Sequence, residues 1–199
     1  ALRCKEAENL TVVNQAWQKY VLELQESFDY IVLLGGLEQA DADFSLPEEG
    51  LTGPAAMVKL LLGLLKPGGR LFLAVDNRLG LRYFCGEPER YTGRPFAGIN
   101  SPQVQESRRI FSRQEILETA NQAGAKGVKC YYPLPDWRLT QLIYTDEYLP
   151  EDNLNERLLV YHPQNKTLLA DEAGLYSQVI KGGVFSFFAN SFLLELANE

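Results

Sequence analysis

Asp76, Asn77 and Arg78 stand together at the end of an apolar run. An aspartate in such a place can orient or deprotonate a hydroxyl. An arginine can hold a phosphate or carboxylate through two parallel N–H bonds. The plainer alternative is a polar cluster that fastens the following loop by hydrogen bonds. Glu38 closes an earlier run of the same kind, after Gly35, Gly36 and Leu37. It is either a base or cation partner or, more simply, a solvated loop carboxylate. Tyr83, Tyr91 and Arg94 fall in the long segment from Gly80 to Gln105 and can line a sugar or nucleotide pocket, or just pack the loop down. Asp136, Trp137 and Arg138 follow Tyr131-Tyr-Pro-Leu-Pro135. That mixture suits carbohydrate stacking, although a packed tryptophan is the commoner outcome.

Other chemistries find little support. Asp146 and Glu147 are adjacent carboxylates without a third ligand, a weak metal signal. The single histidine, His162, precedes a proline and reads as a surface residue. Cys4, Cys85 and Cys130 are odd in number and lack a CxxC spacing, which argues against a disulfide scaffold or zinc site and for a reducing, cytoplasmic compartment. None has a basic neighbour in sequence, so they read as small core residues. The formal charge of -7 opposes binding to a phosphate backbone, and Arg108, Arg109 and Arg113 form the one candidate basic cluster. No signal peptide is expected before the first helical pattern. The longest apolar run, Met57 to Leu65, is broken by Lys59 and Gly63 and is too short to span a bilayer.

The elements that must position these residues follow from periodicity. The first eight residues read as the end of a helix, and Leu10-Thr-Val-Val13 as a short buried strand. Trp17, Tyr20, Val21 and Leu24 fall on one helical face. Phe28 to Leu34 is nearly all apolar, as in a parallel strand covered on both faces. Residues 39–50 read as an acidic surface loop. Pro54 to Leu65 is a helix with proline in its first turn. Lys66-Pro-Gly-Gly69 turns the chain into a strand from Arg70 to Val75. Strand, helix and strand make a right-handed βαβ unit. Ser112 with Glu115 predicts a capping box for a helix to Ala123, stopped by Gly124. Val128 to Tyr132 is a further strand. Gln141 to Tyr144 and Arg157 to Tyr161 are strands or loop segments. Asp171 to Ile180 is a helix, and Phe192 to Leu196 the last strand. In open α/β sheets ligands bind outside the carboxyl ends of the strands, so the informative positions are Asn14-Gln15, Gly35 to Glu38 and Asp76 to Arg78.

Phe28-Asp-Tyr-Ile-Val-Leu-Leu-Gly-Gly-Leu-Glu38 resembles the fourth strand of class I S-adenosylmethionine-dependent methyltransferases and the loop after it. Leu64-Leu-Lys-Pro-Gly-Gly-Arg-Leu-Phe-Leu-Ala74 is similar to their LKPGG turn and fifth strand. The helix to Gly124, the strand from Val128 and Asn190-Ser-Phe-Leu-Leu-Glu-Leu196 resemble the last helix, sixth strand and antiparallel seventh strand. The resemblance implies an α/β, Rossmann-like sheet that is mostly parallel with an antiparallel last strand and lacks the first two strands. Residues 1–199 would form one truncated domain with an insertion at about 140–185. A narrower resemblance runs through Asp76 to Phe84, Tyr91-Thr-Gly93, Phe111-Ser-Arg113, Tyr131 to Asp136, Tyr144 to Pro150 and Ala189-Asn-Ser-Phe192. It is to a bacterial methyltransferase group associated with glycosyltransferases of surface polysaccharide assembly.

The resemblance implies S-adenosylmethionine as cofactor, with Asn14 and Gln15 at its adenine and Gly35, Gly36 and Leu37 along its methionine portion. It places Asp76, Asn77, Arg78, Tyr83 and Tyr91 around a small-molecule or sugar acceptor, with Asp76 the candidate catalytic group. One departure stands out: no E/DxGxGxG occurs, so the grip on the cofactor ribose has no occupant. Either the chain is an excised piece of a longer one, or a partner such as a glycosyltransferase or a dimer mate covers the exposed sheet edge. On the first account methyl transfer belongs to the intact domain and this chain alone is inactive; the alternative is a non-catalytic docking module. A nucleotide-sugar dehydrogenase or epimerase is disfavoured, since neither GxGxxG nor YxxxK is present.

Overall fold

A computed structural model describes residues 7–25, 27–40, 42–105, 108–151, 154–157 and 169–198. The expected helix end before Asn9 falls largely outside them, as do Cys4, His162 and most of the Arg157–Tyr161 segment.

The elements run α1 (Trp17–Glu23), β1 (Phe28–Leu34), β2 (Ser45–Leu46), β3 (Leu51–Thr52), α2 (Gly53–Gly63), β4 (Leu65–Asp76), α3 (Leu81–Phe84) and α4 (Ala97–Asn100). Then come β5 (Gln103–Gln105), β6 (Arg108–Arg109), α5 (Arg113–Gln122), β7 (Gly127–Leu134), β8 (Leu142–Thr145), α6 (Leu154–Arg157), α7 (Glu172–Lys181), α8 (Phe185–Phe188) and β9 (Ser191–Ala197). The main sheet has five strands in the order β1-β4-β9-β7-β8. β1 and β4 are parallel, joined through α2 as the βαβ pattern predicted. β9, the last strand, enters between β4 and β7 and is antiparallel to both. β8 adds an antiparallel edge beside β7, resolving the segment at Gln141 as a strand.

One sheet face makes the core. Leu71, Leu73 and Val75 of β4 pair with Leu196, Leu194 and Phe192 of β9, and all six are fully buried. Met57, Val58, Leu61 and Leu62 of α2 and Ile116 of α5 belong to the same core. Burial of such side chains contributes about 1.5–3 kcal/mol each before the entropy cost of ordering them. The irregular last third closes on aromatics: Tyr132, Tyr144, Phe185 and Phe192 meet edge-to-face at 5.8–6.1 Å.

Several expectations change. Leu10–Val13 is not a strand; Leu10, Val12 and Val13 are 48%, 59% and 45% exposed. Without ladder bonds or a covering layer, β-branched composition does not make a strand. β1 is an edge of the described sheet. Nor is β1 covered on both faces: Ile31 and Leu33 pack on the core, whereas Tyr30, Val32 and Leu34 are mostly exposed. Tyr30 stacks on Phe72 at 6.4 Å. Lys66 to Gly69 does not precede the strand but forms an irregularity inside β4, with Leu65 opposite Phe28 and Arg70 opposite Tyr30. A Cβ at Gly69 would come within 3.0 Å of the carbonyl oxygens of Phe28, Asp29 and Lys66, which explains the glycine. The acidic 39–50 segment holds short turns and the β2–β3 hairpin rather than plain loop.

The capping box forms as predicted. Ser112 accepts from the Glu115 amide, and Glu115 Oε2 accepts from the Ser112 amide at 2.7 Å. Glu115 Oε2 also accepts from Arg78 Nε at 2.9 Å. Replacing Ser112 by alanine is expected to lower stability by about 1 kcal/mol, measurable as a shifted urea midpoint with an unchanged slope.

Candidate functional site

The carboxyl ends of β1 and β4 lie side by side, and a buried carboxylate ties them. Gly35 and Gly36 leave β1 with φ of +64° and +120°, a path that side chains rarely allow. The turn carries Glu38 back beneath them, where it is 1% exposed. Its Oε2 accepts from the Gly36 amide at 2.7 Å and its Oε1 from the Asp76 amide at 3.4 Å. Burial pushes the Glu38 carboxyl above its ordinary range, the amide bonds oppose this, and the charge of Asp76 adds to it. Glu38 is thus no solvated loop carboxylate. Leu37 is fully buried in the core.

Asp76 is 3% exposed and engaged by two consecutive residues distant from it in sequence. Trp137 Nε1 donates to its Oδ1 at 3.2 Å. Arg138 donates through Nη1 to Oδ1 at 2.8 Å and through Nη2 to Oδ2 at 2.5 Å. The guanidinium also lies 4.2 Å from the centre of the Trp137 ring. Asp136 accepts from Arg82 Nη1 at 2.9 Å and from the Arg138 amide at 2.7 Å. Burial works to raise the Asp136 carboxyl, but the charge and hydrogen bond of Arg82 outweigh it and hold it below the usual range. Asn190, at the start of β9, receives the Arg82 amide at 3.0 Å and donates to Pro135 O and Glu172. These bonds draw the segment after β7 over the ends of β4 and β9.

A cavity of about 550 Å³ opens at this place, lined by Asp76, Arg82, Tyr83, Arg90, Asp136 and Arg138 among others. Tyr83 is 6% exposed, and burial first, then the charge of Asp76, drives its hydroxyl well above the ordinary range. Tyr91 lies beyond this lining, with the Arg108 guanidinium 4.4 Å from its ring centre. Burial, with the charges of Glu38 and Asp76, pushes its hydroxyl up to about 12.

The remaining expected residues are placed elsewhere or committed. Asn77 is fully buried and donates to Phe187 O and Ala189 O at 2.8 and 2.7 Å, while its Oδ1 accepts from Leu79 N. It fastens the loop rather than facing the cavity. Arg78 pairs with Glu115 and reaches the carbonyls of Gly98 and Ile99. Arg94 is exposed, its carbonyl accepting from Glu89 N. Asn14 and Gln15 are exposed, with Gln15 3.4 Å from Glu23. Arg108, Arg109 and Arg113 do not act as one patch, since Arg113 pairs in two bonds of 3.0 Å with Asp146 and Arg109 lies 3.8 Å from Glu115. Asp146 also accepts a short bond from Tyr132. No metal-binding group of His, Cys, Asp or Glu occurs among the described residues. Cys85 and Cys130 are buried free thiols, both pushed up to about 11 by burial, then by neighbouring carboxylates for Cys85, whereas Arg113 pulls the other way on Cys130. No helix among the described residues is long and apolar enough to cross a membrane.

The residues present supply only part of a grip on S-adenosylmethionine. Trp137 and Trp17 lie against the turn that would carry its methionine portion: Cβ atoms at Gly35 and Gly36 would meet their rings at 3.0 and 3.4 Å. Arg82, Asp136 and Arg138 matter more to the cavity than sequence order suggested. The signal available for them was the run Asp136-Trp137-Arg138, and Arg82 carried none.

No family model and no curated protein matches the sequence. Among solved structures, the chain is similar to a SAM-dependent methyltransferase, possible histamine N-methyltransferase, from Thermotoga maritima, at 14% identity and a TM-score of 0.44. The match covers 90% of this chain and 61% of that one. It is also similar to a SAM-dependent methyltransferase from Archaeoglobus fulgidus, at 14% identity and a TM-score of 0.47, covering 98% of this chain and 70% of the other. The chain thus spans about three-fifths of the length of the first.

Proposed function

We propose that this chain is the acceptor-side part of a class I methyltransferase domain, acting on a small-molecule or sugar-type acceptor when the domain is whole. What carries the proposal is β9, lying between β4 and β7 and antiparallel to both: the resemblance implied an antiparallel last strand, although in a mostly parallel sheet, whereas in the described sheet only β1 and β4 pair in parallel. β9 draws Asn190 and, through it, the Asp136–Arg138 segment to the end of β4, where the acceptor would lie. The cofactor would supply an activated methyl group, leaving the protein to align and desolvate the acceptor. Asp76, locked by Arg138, suits orienting an acceptor hydroxyl better than removing its proton. The cofactor grip is incomplete in these residues, so we propose that this chain alone is inactive and that residues 1–199 are one partial domain.

S-adenosylhomocysteine titrated by calorimetry tests this. It is expected to bind a longer chain that supplies a glycine-rich strand beside β1, and not this chain. Failure to bind either ends the methyltransferase proposal. The competing reading, a non-catalytic module that docks a glycosyltransferase or a second copy, is favoured by one observation. The β1 edge is unpaired among the described strands and carries exposed Tyr30, Val32 and Leu34. A complex lost on Val32→Lys, in a chain that never binds the cofactor product, would support it.

A further inference from the structure

We infer that the cavity at the end of β4 takes an oxyanion, a carboxylate or phosphate, on the Nε–Nη2 edge of Arg82. Arg82 is 9% exposed, and its Nη1 is held by Asp136. Its Nε and Nη2 are buried and have no hydrogen-bond partner among the described residues. Buried N–H groups left unpaired are costly, and a guanidinium has no neutral state to retreat to. Both open atoms lie on the same side of the guanidinium. Their parallel N–H bonds match two oxygens of one carboxylate or phosphate.

The surroundings fit a ligand that enters from the cavity. A second, smaller space of about 30 Å³ adjoins Arg82 and shares Glu87, Asp136 and Leu139 with the larger one. It has room for roughly one water-sized group, hence for one oxygen of the ligand. Leu139, common to both spaces, is 60% exposed. The acidic neighbours are mostly committed. Asp76 is held by Arg138, Asp136 by Arg82, and Glu89 accepts the amides of Tyr91 and Thr92. Glu172, in the smaller space, accepts from Asn190. Glu87 lines both spaces and opposes an anion, while Arg90 favours one. Long-range attraction is therefore weak, and the site selects by the geometry of two N–H bonds. The ligand's identity as methyl acceptor rests on the function proposed above; the anion site itself does not.

The test needs no cofactor. The ¹⁵N-labelled chain is titrated with inorganic phosphate, methyl phosphate and acetate at constant ionic strength, following the arginine Nε–Hε signals. The Arg82 signal is expected to shift saturably, and the tighter anion tells phosphate from carboxylate. Arg82→Lys keeps the charge but loses the paired edge, and should weaken binding by about tenfold or more. Glu87→Gln should tighten it, and Arg109→Gln should leave it unchanged. Equal binding by Arg82→Lys, or shifts shared by all arginines without saturation, would overturn the site. Should Arg82→Lys not fold by circular dichroism, the wild-type titration decides alone. Anion binding here, with S-adenosylhomocysteine bound by neither this chain nor the longer one, would keep this site and sink the methyltransferase proposal; S-adenosylhomocysteine binding by the longer chain without anion binding would do the opposite.

Discussion

Arg138→Met is expected to destabilise the chain by roughly 3–5 kcal/mol, because it leaves Asp76 buried without its cation. Asp76 is 3% exposed and receives two of its side-chain bonds from that one guanidinium. The Trp137 indole remains, but one neutral N–H does not replace a paired charge. Methionine keeps an unbranched stem but loses the guanidinium both from Asp76 and from over the Trp137 ring. The matching double variant, Asp76→Asn with Arg138→Met, should recover most of the loss, since an amide can still accept from Trp137. Urea unfolding of the wild type, the two single variants and the double variant completes the cycle. If Arg138→Met alone unfolds at the wild-type midpoint, the pair is not a working ion pair, and the cavity wall built on it is wrong.

A second large effect belongs to Asn77. Its amide donates to the carbonyls of Phe187 and Ala189 from a fully buried position. Asn77→Asp conserves shape and turns that donor group into an oxygen facing two oxygens. At pH 7 this should cost roughly 3–5 kcal/mol, the size expected for an unpaired buried charge. The sign with pH follows from burial and from the facing carbonyls. Both raise the new carboxyl's pKa in the folded state, so the folded chain binds the proton more tightly than the unfolded one. The defect should shrink as pH falls from neutral through the folded value and change no further below the unfolded one. Thermal melts of variant and wild type at pH 7 and pH 5 measure the difference between them. A difference independent of pH would show that the side chain is not where it is described.

Much of the frame was legible from residue pattern. The βαβ unit followed from two apolar runs around a proline-started helix, and Ser112 with Glu115 announced the start of α5. These are local signals with short-range causes. Leu10–Val13 was misread because composition tells what a strand would bury, not whether a neighbour exists to pair with it. The Lys66–Gly69 irregularity was missed because the crowding at Gly69 comes from carbonyls of β1, distant in sequence. The site was half legible. Gly35, Gly36 and Asp76 were marked by their place at strand ends. Glu38 was read as solvated because its burial depends on the fold returning under Gly36. Arg82 was invisible, since what distinguishes it is an acid 54 positions away and two bonds it does not make.

The two tryptophans of the chain, Trp17 and Trp137, lie against adjacent glycines of a single turn. One comes from the helix before β1 and the other from the segment after β7. Tryptophan emission, excited selectively, is therefore a local gauge: it reports the turn at Gly35 and Gly36 together with the Asp76–Arg138 pair beside Trp137. A spectral change that precedes the loss of circular dichroism on warming would register that turn opening while the sheet is still intact. A phenylalanine at either tryptophan would assign the signal to one side of the turn.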